Sequence, residues 1–187
     1  MVRMEEKVKQ LAKFGIILGS ICLIATLVLA VTYEVTKPKI EAQRKAEEES
    51  ALKMVMPEAE SFVEKNIDGI DYFDALKGTS LIGYCIKITG NGYNGYIRMI
   101  VGIDRQGMIK GLEILEQAET PGLGSRITEV RPGEKEAYFL KQFKGKLAEN
   151  LAIKKNIDAI TGATITSKSV ADAVKKTVTE FLSKVKK

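Results

Sequence analysis

Residues 14–33, FGIILGSICLIATLVLAVTY, run for 20 positions without a charged side chain. At about 1.5 Å of rise per residue, such a stretch spans a hydrocarbon core of roughly 30 Å as one helix. A cleaved leader carries a shorter apolar core, about 7–15 residues, and ends on small residues. Here the exit is bulky, Val31-Thr32-Tyr33, so the segment reads as an uncleaved anchor in a lipid bilayer, behind a short tail at 1–13. Charge does not orient it. Arg3, Lys7, Lys9 and Lys13 precede the segment and Lys37, Lys39, Arg44 and Lys45 follow it, so the positive-inside count is a tie.

Composition limits what the remainder can do. The 187 residues are 45% hydrophobic and 28% charged, enough for one globular domain, 58–187, besides the anchor. There is no histidine, which excludes Ser-His-Asp and Cys-His catalysis and imidazole ligation of haem. The two cysteines, Cys22 and Cys85, are too few for a thiolate-held zinc or iron–sulfur site, and one of them lies inside the anchor. No catalytic constellation and no metal site are expected, so chemistry here calls for a cofactor. The net charge of +5 falls to +3 once the first 33 residues are set aside, leaving 25 basic against 22 acidic residues. Without finger spacing or a basic stripe interleaved with aromatics, nucleic acid is not an expected partner.

Beyond the anchor, 34–57 reads as a juxtamembrane stalk helix. Its stretch KIEAQRKAEEESALKMVM holds strong helix formers and no Gly or Pro until Pro57. Short runs rich in Ile, Val and Tyr follow at 81–89, 96–104 and 108–116, with the hairpin-length link Asp104-Arg105-Gln106-Gly107, and read as an antiparallel meander. Helices are expected over 134–149 and from about Ser167 onward. In the second, Val170, Ala173, Val174, Val178, Phe181 and Leu182 recur at helical spacing. Strands with segregated helices give an α+β class.

Directly before that last helix lies Asp158-Ala159-Ile160-Thr161-Gly162-Ala163-Thr164-Ile165-Thr166-Ser167. Gly162 and Ala163 leave the backbone open to close approach, and a helix N-terminus supplies unpaired N–H donors suited to a phosphate. The same string also serves as an ordinary cap, with Thr166 or Ser167 as N-cap and Asp158 as a turn residue. Local chemistry does not choose among Thr161, Thr164, Thr166 and Ser167.

The string D-A-I-T-G-A-T at 158–164 resembles the D-x-x-[ST]-G-A-[ST] motif of the covalent FMN-binding domain family. That family includes the G subunit of the Rnf ion-translocating electron-transport complex and the C subunit of the sodium-translocating NADH:quinone reductase. E-T-P-G-L-G at Glu119 to Gly124, G-Y-N-G-Y-I-R-M-I-V-G-I-D at Gly92 to Asp104 and F-K-G-K at Phe143 to Lys146 also resemble the family. One departure is Gln117, where members commonly carry a histidine.

The resemblance implies FMN joined through its phosphate to Thr164, installed from FAD by a separate flavin transferase, with Asp158 a recognition or loop-stabilising residue. It implies that Pro121, Gly122 and Gly124 shape a turn bringing Glu119, Thr120 and Leu123 to the flavin, beside Thr161, Gly162, Ala163 and Thr166. Tyr93 and Tyr96 either stack on the ring or fill the sheet face, and Lys146 is either a flavin partner or a solvated lysine. The implied function is an electron-relaying flavoprotein subunit of an Rnf-type complex, ferredoxin and NAD linked, that does not turn over substrate alone. The implied partners are the other membrane and redox subunits and the transferase. The domain is expected on the extracytoplasmic face of the cytoplasmic membrane, where a tether prevents loss of the cofactor by dilution. The short chain is closer to the Rnf subunit than to its quinone-reductase relative. The alternatives are that relative, a stand-alone flavin reductase, or an anchored interaction module without redox chemistry.

Overall fold

A computed structural model describes residues 2–185. The chain divides into two units, Met1–Ala46 and Glu47–Lys187. From Val2 on, the first is helical and belongs to helix α1, Val2–Val55, whose last turns lie in the second unit. Its apolar side chains, Leu18, Leu23, Leu27 and Leu29 among them, are exposed. Among the described residues, α1 is the one helix long and apolar enough to cross a membrane. Its hydroxyls bond their own backbone: Ser20 donates to the carbonyl of Ile17 at 2.8 Å, Thr26 to that of Cys22 at 2.9 Å and Thr32 to that of Val28 at 2.8 Å. Polar groups within a bilayer need such internal partners, because lipid offers none.

The second unit holds a five-stranded antiparallel meander in chain order. The strands are β1 (Ser61–Ile67), β2 (Ile70–Lys77), β3 (Ser80–Asn91), β4 (Tyr96–Asp104) and β5 (Ile109–Gln117). The last three are the strands expected from sequence, and the hairpin β1–β2 is an addition. Alternation along the strands sends side chains to two faces. Tyr72, Tyr84, Ile86, Ile88, Met99 and Val101 pack with Val170, Val174, Val178 and Phe181 of the C-terminal helix. On the other face Phe73, Ala75, Cys85 and Ile100 pack with Ala51, Leu52, Val55 and Met56. Both faces are covered, so β3 and β4 read as near-continuous apolar runs. Burial pushes the Cys85 thiol up to about 12, which leaves it a packing residue.

The end of α1 is therefore more than a polar spacer. Gly102 and Gly111 are register partners on β4 and β5, and a Cβ on either would lie 2.6 Å from a backbone atom of Val55. Two bare neighbours make a notch in which the helix end sits directly on the sheet. Lys87 joins the same region, its Nζ 2.8 Å from carboxylate oxygens of both Glu48 and Glu64.

After β5 the structure departs from the expected helix over 134–149. Only Tyr138–Lys141 is α-helical, as α2, followed by turns and a short 3-10 segment at Ala148–Asn150. The reason lies in the backbone of the next residues, which bonds to β5. The Gly145 N–H donates to the Ile109 carbonyl at 2.8 Å, and the Ile109 N–H donates to that of Lys146 at 2.9 Å. Phe139 and Phe143 are fully buried all the same, so the apolar spacing that suggested a helix is real. The C-terminal helix α3, Thr164–Val185, begins three residues earlier than Ser167.

Candidate functional site

Three segments distant in sequence meet at the start of α3. After β5 the chain turns over Thr120-Pro121-Gly122-Leu123, where the Leu123 N–H donates to the Thr120 carbonyl at 3.1 Å. Pro121 at the second position and Gly122 at φ +76° in the third are the residues a type II turn demands. A second turn precedes α3. The Ala163 N–H donates to the Ile160 carbonyl at 2.9 Å, with Gly162 at φ +81° between them.

Helix α3 then starts without a capping side chain. Its first helical bond runs from the Ser167 N–H to the Ala163 carbonyl at 2.9 Å, which makes Ala163 the N-cap. Thr166 and Ser167, the sequence candidates for that role, lie inside the helix with their hydroxyls committed elsewhere. Ser167 Oγ accepts from the Ile160 N–H at 3.0 Å and donates to the Ala163 carbonyl at 2.9 Å, stapling the loop to the helix. Thr166 Oγ1 donates to Glu119 Oε2 at 2.5 Å.

Glu119 is the centre of the site. It is 6% exposed, and its second oxygen, Oε1, accepts from the Asn94 N–H at 3.1 Å. Its own N–H donates to Gln117 Oε1 at 2.7 Å, so this glutamine fixes the backbone of the residue. Asn94 Nδ2 adds a bond to the Ala118 carbonyl at 2.8 Å. Two glycines make the arrangement possible. A Cβ on Gly92 would collide with Glu119 Oε1, and one on Gly124 with Glu119 Oε2 and with Thr166 Oγ1.

Beside this buried carboxylate opens a cavity of about 420 Å³, lined by Tyr93, Glu119, Thr120, Leu123, Gly124 and residues 162–166. The structure thus gathers Tyr93, Glu119, Thr120, Leu123, Gly124, Gly162, Ala163, Thr164 and Thr166, all candidates from sequence. Three further candidates stand apart from the lining. Lys146 donates its ammonium to the Asn156 carbonyl. Asp158 has its backbone clamped by the Gln142 side chain, which accepts from its N–H at 2.8 Å and donates to its carbonyl at 3.2 Å, while its carboxylate is exposed. Thr161 is exposed in the turn before Gly162. Tyr93 and Tyr96 are 71% and 70% exposed, so neither fills the sheet face. Residues not singled out from sequence are Gly92 and Asn94, whose signal was the G-Y-N-G turn, and Ile165, exposed beside Thr164.

Of the four hydroxyls in the loop, Thr164 alone is exposed and lines the cavity. It sits in the first turn of α3, where the N–H groups of Thr164, Ile165 and Thr166 have no intrahelical acceptor and the helix dipole favours an anion. An apolar cavity ending at such a helix start suits a planar ring carrying a phosphate. FMN fits this donor set.

Comparison with known proteins agrees. The FMN-binding domain family matches residues 92–179, and the RnfG N-terminal region matches residues 4–55. The chain is 33% identical to the G subunit of the ion-translocating oxidoreductase complex of Haemophilus influenzae, covering 94% of this chain and 92% of that one. It is 32% identical to the G subunit of the proton-translocating ferredoxin:NAD(+) oxidoreductase complex of Clostridium ljungdahlii, with 84% of each covered. The Na(+)-translocating counterpart from Acetobacterium woodii is 32% identical, with 89% of each covered. Among solved structures, Shewanella oneidensis NqrC is similar at a TM-score of 0.48 and 21% identity, over 69% of this chain and 73% of that one. By its N-terminal region, its FMN-binding domain and these relatives, the chain belongs to the G-subunit family of ion-translocating oxidoreductase complexes.

Proposed function

We infer that the chain is a membrane-anchored flavoprotein subunit that relays electrons through FMN esterified to Thr164, within an Rnf-type ion-translocating complex. The observation that carries this reading is the isolation of Thr164. Thr166 and Ser167 are buried with engaged hydroxyls and Thr161 lies off the cavity, whereas Thr164 is exposed at its edge. FMN, when bound, supplies acceptance of two electrons and their release one at a time.

The residues divide the work of holding it. The N–H groups at the start of α3 meet the phosphate charge, and Leu123, Ala163 and Ile165 offer apolar surface to the ring. The chain does not activate Thr164 by itself. Glu119 is the one carboxylate lining the cavity, and both its oxygens already accept hydrogen bonds. As the resemblance implies, a separate flavin transferase would make the bond, with FAD as the donor of the FMN phosphoryl group and Thr164 Oγ as its acceptor.

The relatives' names, which include ferredoxin and NAD(+) as reaction partners, support a place among other redox subunits that handle those substrates. One membrane-crossing helix supports a single-pass anchor, and a tethered cofactor suits an extracytoplasmic domain. Co-expression with a flavin transferase tests the reading. The full chain is expected to keep its flavin fluorescence on a denaturing gel, and Thr164→Val to lose it. Fluorescence retained by Thr164→Val, or absent from the unaltered chain, would refute the assignment.

A further inference from the structure

We propose that Glu119 is the positioning residue of the flavin site, and that its buried charge holds the potential of the flavin down. This rests on the FMN reading above and extends it to a residue that touches no part of the attachment chemistry. The carboxylate joins three chain segments: its own loop after β5, the Gly92–Gly95 turn through the Asn94 N–H, and the first turn of α3 through Thr166 Oγ1. The Thr166 bond, at 2.5 Å, ties the first turn of α3 directly to the loop after β5.

Both flanking glycines exist, in physical terms, to clear space for this group, since a Cβ on Gly92 or Gly124 would occupy the position of one of its oxygens. A charged group so enclosed, with no cation among its hydrogen-bond partners, is screened weakly by solvent and salt. It lines the same cavity as Thr164. Negative charge there disfavours added electrons and shifts the balance toward the oxidised flavin.

Three variants of the full chain separate the tie from the charge. In Glu119→Gln the amide oxygen accepts from the Asn94 N–H and the amide NH2 donates to Thr166 Oγ1, whose hydroxyl is able to accept, so both ties persist without the charge. Glu119→Asp keeps the charge but shortens the reach. Glu119→Ala removes both. Each is melted as apo-protein, then loaded by co-expressed transferase and titrated for its midpoint potential.

The Gln variant is expected to melt within a few degrees of the unaltered protein, whereas Ala melts well below it. In the loaded Gln protein the ratio of reduced to oxidised flavin is expected to rise at least tenfold at a fixed potential, about 30 mV for a two-electron couple. The Asp variant is expected to stay near the unaltered potential. A Gln variant that fails to fold, or that matches the unaltered potential, overturns the proposal while the FMN reading stands. Equal shifts for Gln and Asp would assign the effect to loosened structure and overturn it as well. If the unaltered chain takes up no flavin, the FMN reading itself fails, and this proposal with it.

Discussion

Gly124→Ala puts the packing at the centre of the site to a direct test. A Cβ at this position would meet Glu119 Cβ at 2.8 Å and Thr166 Oγ1 at 2.9 Å, besides colliding with Glu119 Oε2. Real Cβ atoms do not tolerate such distances, so the carboxylate has to move. Moving it forfeits bonds to Asn94 and Thr166 inside a buried region, and hydrogen bonds to charged groups are worth about 1.5–3 kcal/mol each. With part of that recovered by relaxation, the variant is expected to lose about 3 kcal/mol, or roughly 6–12 °C of melting temperature for a domain of this size. The cause is checked by a double-mutant cycle with Glu119→Gly, which removes both the carboxylate and the Cβ that the new methyl would meet. Only Thr166 Oγ1 is then left in its way, and Gly124→Ala is expected to cost only about 1 kcal/mol in that background, a coupling of about 2 kcal/mol. Circular dichroism melts of the four apo-proteins give the answer. Additive losses, or a Gly124→Ala protein as stable as its parent, would refute the idea that this glycine exists to admit Glu119.

Other outcomes follow from the same geometry. Thr164→Val changes an exposed residue without a structural partner and is expected to leave the apo melt within about 0.5 kcal/mol of its parent, measured alongside the loss of flavin. Gly111→Ala drives a methyl against the Val55 backbone, which is unable to yield as a side chain does, and is expected to cost about 3 kcal/mol or more; hydrogen exchange should rise first over residues 47–56. Burial, with a lesser contribution from the Glu136 charge, raises the Glu113 carboxyl above the usual range, so the folded state binds its proton more tightly than the unfolded one. Stability then falls as pH rises from the unfolded value through the folded one, and Glu113→Gln should raise the melting temperature at pH 7 with the gain vanishing below about pH 4.

The sequence foretold features that depend on neighbours in the chain. A charge-free stretch marks α1 by length alone, and short runs rich in Ile, Val and Tyr with the Asp104–Gly107 link mark β3 to β5. The hairpin β1–β2 escapes such a reading because β1, SFVEKNI, is mostly exposed and shows little alternation. Its pairing with β2, over Ser61↔Leu76 to Ile67↔Ile70, is nevertheless local, closed by the two-residue turn Asp68-Gly69 at φ +48° and +84°, an Asp-Gly hairpin signal that a reading of apolar runs passes over. The segment over 134–149 has helical composition, yet its backbone at Gly145 and Lys146 bonds to Ile109, a partner invisible in any local window.

The same limit governs the site. Motifs pick out loops that the structure brings together, but the bond that orders them, Thr166 to Glu119, links residues 47 positions apart. Until that partner is known, Thr166 and Thr164 look equivalent as hydroxyls. Lys146 shows the converse, since a lysine in a shared motif is occupied by a nearby carbonyl.

The most direct measurement is a peptide map of the protein purified from its own membranes, read across residues 156–168. The account predicts a peptide heavier by FMN less one water, with fragment ions placing the addition on Thr164. An unmodified peptide, or the addition on Thr161, Thr166 or Ser167, would contradict it.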